Sequence, residues 1–310
     1  MIPVSQGKPY AGNPHVRFEE GASAQAAPRR SALLHKTPNS ATNLGKAIKR
    51  YCGKGRDDIR LARAMADLVV GQMLPAGVVK GGSSLLFRYG GSVTRYTKDV
   101  DTARAIGLDE YLDALRARLA EGWNGFSGKL VDVDPPSPPN VPKPYVMMPY
   151  DIKLQYLGRA WMTVRIEIGH NEIGDADLHE LTLPEDVAAA FVALGFPKPK
   201  GIPVMALPYQ VAQKLHAVSG KDSDRAHDLI DLQLIEKNSS LDLTAVKSTC
   251  ERLFNYRREQ SWPPRLVKGK TWDGVYDEAR ATLRNADSVL ATVDEAVAWA
   301  NNLIERIVAS

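Results

Sequence analysis

The chain has 310 residues, 44% hydrophobic and 25% charged, with a formal net charge of +4. This is ordinary globular composition, so collagen-like, low-complexity and wholly disordered chains are excluded, and the length suffices for one large domain or two small ones. The mild basic excess permits a polyanionic partner without requiring one.

The two cysteines, Cys52 and Cys250, stand far apart with no Cys/His spacing around them. Neither a disulfide framework nor a zinc site is expected, and a reducing cytoplasm fits best. No apolar run reaches the roughly 18 residues that a membrane helix needs, and the N-terminus lacks the apolar centre of a signal peptide. A soluble cytoplasmic protein without a membrane partner is expected.

Residues 1–37 are rich in Gly, Ala, Pro, Ser and charge without periodicity, which predicts a mobile arm. Helical patterning begins near "PNSATNLGKAIKRY", with Ser40 or Thr42 available as an N-cap, and resumes through "DDIRLARAMADLVVGQML". "AGVVKGG" then predicts a short buried strand entering a glycine turn, and "YTKDVDTAR" a second strand. "DEYLDALRARLAEGW" returns to helical spacing. From Gly128 come β signals: "KLVDV", a proline-rich loop, and "YDIKLQYLGRAWMTVRIEIG", whose two alternating runs meet at Leu157-Gly158-Arg159 as a hairpin.

After "LTLPEDVAAAFVALGF" the pattern from Leu207 onward is almost wholly helical. A boundary near residue 203 is therefore expected, giving an α/β domain over 38–203 and a helical domain over 204–310. No internal repeat is present.

Residues 29–63 hold ten Lys or Arg against two acids, and residues 252–270 hold six against one, interleaved with Phe254, Tyr256 and Trp262. Both segments are candidate phosphate-facing surfaces, the second for a single-stranded RNA end. Each could equally be a solvated helix face with aromatic core behind it.

The candidate chemistry lies in "KGGSSLLFRYGGSVTRYTKDVD". On a strand Asp99 and Asp101 point the same way and Val100 points inward. Two carboxylates so placed repel one another, and become favourable with a divalent cation between them and a polyphosphate. By the same alternation, Arg165 and Glu167 of the hairpin share a face opposite Val164, Ile166 and Ile168. An Asp-x-Asp strand with a neighbouring carboxylate is the layout of a two-metal phosphoryl-transfer site.

The Gly-Gly-Ser-Ser turn lets the backbone approach a phosphate, with Ser83 and Ser84 as hydroxyl donors. It is not a Walker A loop, because its lysine precedes the glycines. In "PYQVAQKLHAVSG" the inward stripe is Val211, Lys214, Leu215 and Val218, and in "RAHDLIDLQLIEK" it is Asp228, Asp231, Leu232 and Ile235. A lysine and aspartates in such stripes predict either a structural salt bridge or a nucleotide-facing lysine oriented by Asp228.

Four ordered motifs, "KGGSSLLFRY", "RYTKDVD", "QKLHAV" and "HDLIDL", resemble those of the AbiEii/MenA-type nucleotidyltransferase toxins, a branch of the DNA polymerase β-like nucleotidyltransferase superfamily. The resemblance spans roughly residues 78–235. It implies an α+β fold, with a mixed-sheet nucleotidyltransferase core flanked by helices and followed by a C-terminal helical bundle. It further implies a bacterial toxin partnered by an AbiEi-type antitoxin. The implied activity uses Mg²⁺, or alternatively Mn²⁺, to transfer a nucleoside monophosphate from an NTP to RNA, for some members the 3′ acceptor end of tRNA, blocking translation.

Carried over by position, Asp99, Asp101, Lys214 and Asp228 are catalytic. Gly82, Ser83 and Ser84 hold phosphates, with Lys80 and Arg88 as basic residues near the pocket. Asp99 and Asp101 bind metal, and superfamily analogy adds Glu167. The family's usual arginine before the first aspartate of the last motif is His227 here, with Arg225 two residues earlier. The rival readings are a nucleotidyltransferase or phosphotransferase acting on a protein or small molecule, and a non-catalytic nucleic-acid-binding protein.

Overall fold

The computed structural model describes residues 37–53, 57–134 and 147–310. The expected N-terminal arm (save Thr37) and the proline-rich loop lie outside the described residues. Helix α1 (Ala41–Cys52) starts where Ser40 accepts a hydrogen bond from the Asn43 N–H, and α2 (Asp57–Gln72) carries Asp57 and Asp58 against its N-terminal dipole. Strand β1 (Gly77–Lys80) passes straight into helix α3 (Gly81–Tyr89). There follow β2 (Asp99–Arg104), α4 (Leu108–Glu121), β3 (Phe126–Asp132), β4 (Met148–Tyr156), β5 (Arg159–Gly169), β6 (His179–Thr182), α5 (Glu185–Ala193) and β7 (Ile202–Met205).

The helical half comprises α6 (Leu207–Val218), α7 (His227–Asn238), α8 (Leu243–Arg257), α9 (Trp272–Ala281) and α10 (Val293–Ala309). The last begins with a reciprocal capping box between Thr292 and Glu295. The fold class is the expected mixture of a sheet-based core and C-terminal helices.

The helix α3 departs from the expected glycine turn. Two glycines and two serines give "GGSS" poor helix propensity, but every residue from Gly82 to Phe87 is buried, so tertiary packing rather than propensity forms this helix.

The seven strands form one mixed sheet in the order β3-β4-β5-β2-β1-β7-β6. β2 lies at its centre, antiparallel to β1 and parallel to β5, while β1 is parallel to β7. Val79, Val100, Val164, Ile166 and Ile168 point to one face and join α1, α2, α4 and α5 in a large apolar core. A second core gathers α6–α10 around Leu215, Leu232, Phe254, Trp272 and Tyr276. Residues at 203–204, where the sequence changes character, lie inside β7, the last strand before the helices.

Candidate active site

The parallel register of β2 and β5 sets Asp99 beside Arg165, Val100 beside Ile166 and Asp101 beside Glu167. The sheet face opposite the apolar core therefore carries three carboxylates on two adjacent strands. Arg165 does not neutralise Glu167 by direct pairing: its Nε is 2.7 Å from Oδ1 of Asp151, its cross-strand partner on β4. Burial pushes Asp101 up to about 6, and repulsion from Glu167 and Asp99 adds to this while the Lys80 ammonium opposes it. Burial likewise raises Glu167, with Asp99 the next contributor. Among the described residues, no three His, Cys, Asp or Glu side chains close to metal-holding geometry. The three carboxylates are nonetheless a hard-oxygen donor set whose negative charge the nearby Lys80 offsets in part, the chemistry that suits a divalent cation of the Mg²⁺ type.

The glycine turn meets this acidic face. Gly81 has φ +63°, and a Cβ there would lie 2.0 Å from Oδ2 of Asp101, so only glycine lets the chain leave β1 against that carboxyl. A Cβ on Gly82 would meet Oγ1 of Thr97 at 3.2 Å and Nη2 of Arg95 at 3.3 Å. No side chain caps the N-terminus of α3, leaving N–H groups of its first turn for an anion.

The serine hydroxyls are placed differently from the expected phosphate donors. Ser83 and Ser84 are fully buried. Ser83 Oγ donates to the main-chain carbonyl of Asp99 at 2.6 Å, and Ser84 Oγ to that of Gly81 at 3.0 Å. The serines fasten the turn to the Asp-x-Asp strand, and the phosphate-facing groups the turn offers are main-chain ones.

Lys80 is opposite Asp101 in the β1–β2 pairing and is nearly buried. Its ammonium lowers the pKa of Asp101 and Glu167 on one side and of Asp175 and Glu172 on the other. Gly169 leaves room for it, since a Cβ there would lie 3.0 Å from Lys80 Nζ. Arg88 is not brought to this site. It lies near the other end of α3, ion-paired with Glu180 of β6 and donating to the carbonyl of Met205 at 3.0 Å.

The helical half closes on the turn through α6 and α7. Gln210 Nε2 donates to the Gly81 carbonyl at 2.9 Å. One helical turn further along α6, Lys214 Nζ lies 2.7 Å from Asp228 Oδ1 and 2.6 Å from Asp231 Oδ2. Arg95 forks onto Asp231 with bonds of 2.8 and 2.9 Å, and Arg225 Nε lies 3.0 Å from Asp228 Oδ2. Burial alone would keep Asp228 and Asp231 protonated, but these cations outweigh it and hold both below the usual carboxylate range. Lys214 thus sits in a buried ion network, the salt-bridge arrangement of the two readings, which shares Arg95 with the glycine turn and whose Arg225 acts electrostatically on Asp101.

Arg225 takes the basic position beside Asp228. His227 is 3.9 Å from that carboxylate, and burial pushes its pKa down to about 4, so it is neutral near pH 7.

Arg95, Gln210 and Asp175 escaped the sequence reading. A signal for Arg95 existed: two buried aspartates facing one lysine require a further cation. The other expected RNA-facing segment, 252–270, is divided: Arg258, Arg265 and Lys270 are exposed, while other members serve the fold. Phe254 and Trp272 are core, Arg252 donates to the Ile173 carbonyl, and Arg257 pairs with Glu172.

Comparison with known proteins places this chain in a family. The family model described as nucleotidyl transferase AbiEii toxin, type IV toxin–antitoxin system, matches residues 63–300. No curated protein matches the chain. Among solved structures, the chain is similar to MenT4, a nucleotidyltransferase toxin from Mycobacterium tuberculosis H37Rv, at 17% identity, covering 86% of this chain and 98% of that one with a TM-score of 0.47. It is also similar to JHP933 from Helicobacter pylori, at 14% identity, covering 82% and 93% with a TM-score of 0.42. The family match covers the acidic strand, the glycine turn and the buried lysine network together, and the chain belongs to the AbiEii family of nucleotidyltransferase toxins.

Proposed function

We propose that this toxin transfers a nucleoside monophosphate from an NTP to the 3′-hydroxyl of an RNA, the acceptor end of tRNA, and so blocks translation in the cytoplasm of a bacterium. The observation that carries this reading is the register of Asp101 against Glu167, which puts Asp99, Asp101 and Glu167 on one sheet face while the Asp101 carboxyl meets Gly81 at the uncapped start of α3.

Asp99, Asp101 and Glu167 would hold Mg²⁺, which when bound supplies neutralisation of the triphosphate and polarisation of its reacting oxygens. The main-chain N–H groups at the start of α3 receive phosphate oxygens, with Ser83 and Ser84 keeping that turn in place. Lys80 offsets part of the acidic charge from the same sheet face, opposite Asp101 on β1. Lys214, fixed by Asp228 and Asp231, supports Arg95 at the turn and contributes positive potential toward the triphosphate. The acceptor hydroxyl attacks the α-phosphorus, the bond from that phosphorus to the β-phosphate oxygen breaks, and pyrophosphate leaves. An AbiEi-type antitoxin is the partner that restrains the activity.

The test incubates purified protein with Mg²⁺, each labelled NTP and total tRNA. Label on tRNA is expected, with Asp99→Ala abolishing it at an unchanged melting temperature. Label on protein instead would favour the protein-modifying alternative, and label on nothing would favour a binding protein without catalysis.

A further inference from the structure

Behind the glycine turn, between α2, the loop 91–97 and the end of α9, lies a cavity of about 50 Å³ lined by Arg60, Arg63, Arg95 and Arg284 together with Tyr96 and Thr97. At roughly 10–15 Å³ for each water-sized centre, it has room for a few such groups, the scale of one phosphate rather than a nucleobase. Two carboxylates also line it, so the lining carries four cations against two acids. Asp186 is engaged at the start of α5, accepting from the Ser92 and Val187 N–H groups. Asp67 is fully buried and raised to about 7 by that burial, with the Arg63 guanidinium opposing.

The cations are unevenly satisfied. Arg95 is matched by Asp231, and Arg284 has Asp57 at 3.3 Å. Arg60 is anchored by main-chain carbonyls, those of Thr282 at 2.5 Å and Thr94 at 3.5 Å. Its pKa is lowered by burial and then by repulsion from Arg284, with Asp57 opposing, and its guanidinium hydrogen bonds go to carbonyls rather than to a carboxylate. Arg63 Nε lies 2.8 Å from Asp67 Oδ1, an ion pair within the lining.

The cavity joins two places. Inward, Arg95 and Thr97 are shared with the Gly82 turn. Outward, Arg284 acts electrostatically on Cys52 at the end of α1, whose last turn carries the exposed Lys49 and Arg50. The inner end of the cavity therefore reaches the glycine turn, while its outer end sets these cations beside Asp57 and Asp58, which act on Cys52 more strongly than Arg284 does.

We propose that this cavity binds a backbone phosphate of the acceptor RNA and guides its end to the glycine turn. The inference rests on the RNA-acceptor reading above. A phosphate in the same cavity could come from the RNA or from the NTP, and separate measurements with each ligand tell the two apart.

The test uses the full chain with Arg60→Gln, Arg284→Gln and their double variant, with Arg60→Lys as a charge-retaining control and thermal melts to verify folding. Binding of labelled single-stranded RNA is followed across a salt series, alongside KM for RNA and for NTP in the transfer assay. The expected result is RNA binding weakened about tenfold in each neutralised variant, a logarithmic salt slope reduced by about 1 for each lost phosphate contact, and an unchanged KM for NTP. Unchanged RNA binding and salt slope would overturn the inference, as would a rise in KM for NTP in place of that for RNA. If the wild type binds RNA through these arginines but labels none, the transfer reading fails and the phosphate site stands.

Discussion

The hydroxyl of Ser83 donates a 2.6 Å hydrogen bond to the main-chain carbonyl of Asp99, so the first turn of α3 fixes the start of the acidic strand. That carbonyl also accepts from Thr97 Oγ1 at 3.3 Å. Ser83→Ala is expected to cost about 1 kcal/mol of stability, the usual net worth of such a bond, and to lower kcat with little change in KM for NTP. Urea unfolding and steady-state transfer kinetics check both. A raised KM at wild-type kcat would make Ser83 a phosphate ligand instead.

Gly81→Ala should abolish transfer. The new Cβ would sit 2.0 Å from Asp101 Oδ2, at a φ of +63° that itself costs an L-residue about 1–2 kcal/mol. Gly45→Ala in α1 is the control. Nothing lies within 4 Å of that Cβ, so the helix gains about 1 kcal/mol and activity is unchanged. Circular-dichroism melts and transfer assays separate the pair.

Transfer should depend on pH through Asp101, whose carboxyl titrates near about 6. Below that value its protonated form cannot accept a cation, so kcat/KM is expected to fall about tenfold per pH unit and to level off above pH 7. Stability runs the other way. A carboxyl raised in the folded state favours folding most below its unfolded value near 4, and that advantage is lost as pH rises through about 6. Discounted by half for partial exposure, Asp101→Asn should stabilise the protein by about 1–2 kcal/mol at pH 8 and by little at pH 4, while eliminating transfer. Melting curves at the two pH values provide the check.

Lys214→Met strips the ammonium from two buried carboxylates and is expected to destabilise by about 3–5 kcal/mol. Adding Asp228→Asn and Asp231→Asn should recover part of this stability without recovering transfer. Recovery of both would reduce Lys214 to a structural bridge. Because Asp228 and Asp231 are held below their ordinary range, their contribution is present above about pH 4 and is lost on acidification through their folded values.

Much of this arrangement was readable from alternation and helical spacing alone. Asp99, Asp101 and Glu167 were placed by period-two reasoning, because Val100 and Ile166 must enter the core. Lys214, Asp228 and Asp231 stood out because charges on apolar stripes need partners. What could not be read was the register between strands distant in sequence, which decides that Asp101 rather than Asp99 faces Glu167. Helix α3 was hidden because its stability comes from burial, which propensity does not report. Ser83 and Ser84 were legible as hydroxyls near a phosphate turn, but their orientation depends on the Asp99 and Gly81 carbonyls, which only the assembled fold brings within reach. Arg88 failed to reach the site because α3 turns it toward β6.

A single residue, Ala206, separates β7 from α6. Since β7 runs parallel to β1, the bundle is launched from the same rim of the sheet where Lys80 ends β1 and Gly81 begins α3. So short a tether allows little swinging of α6 against the sheet, and the Gln210 bond to the Gly81 carbonyl is anchored from both ends.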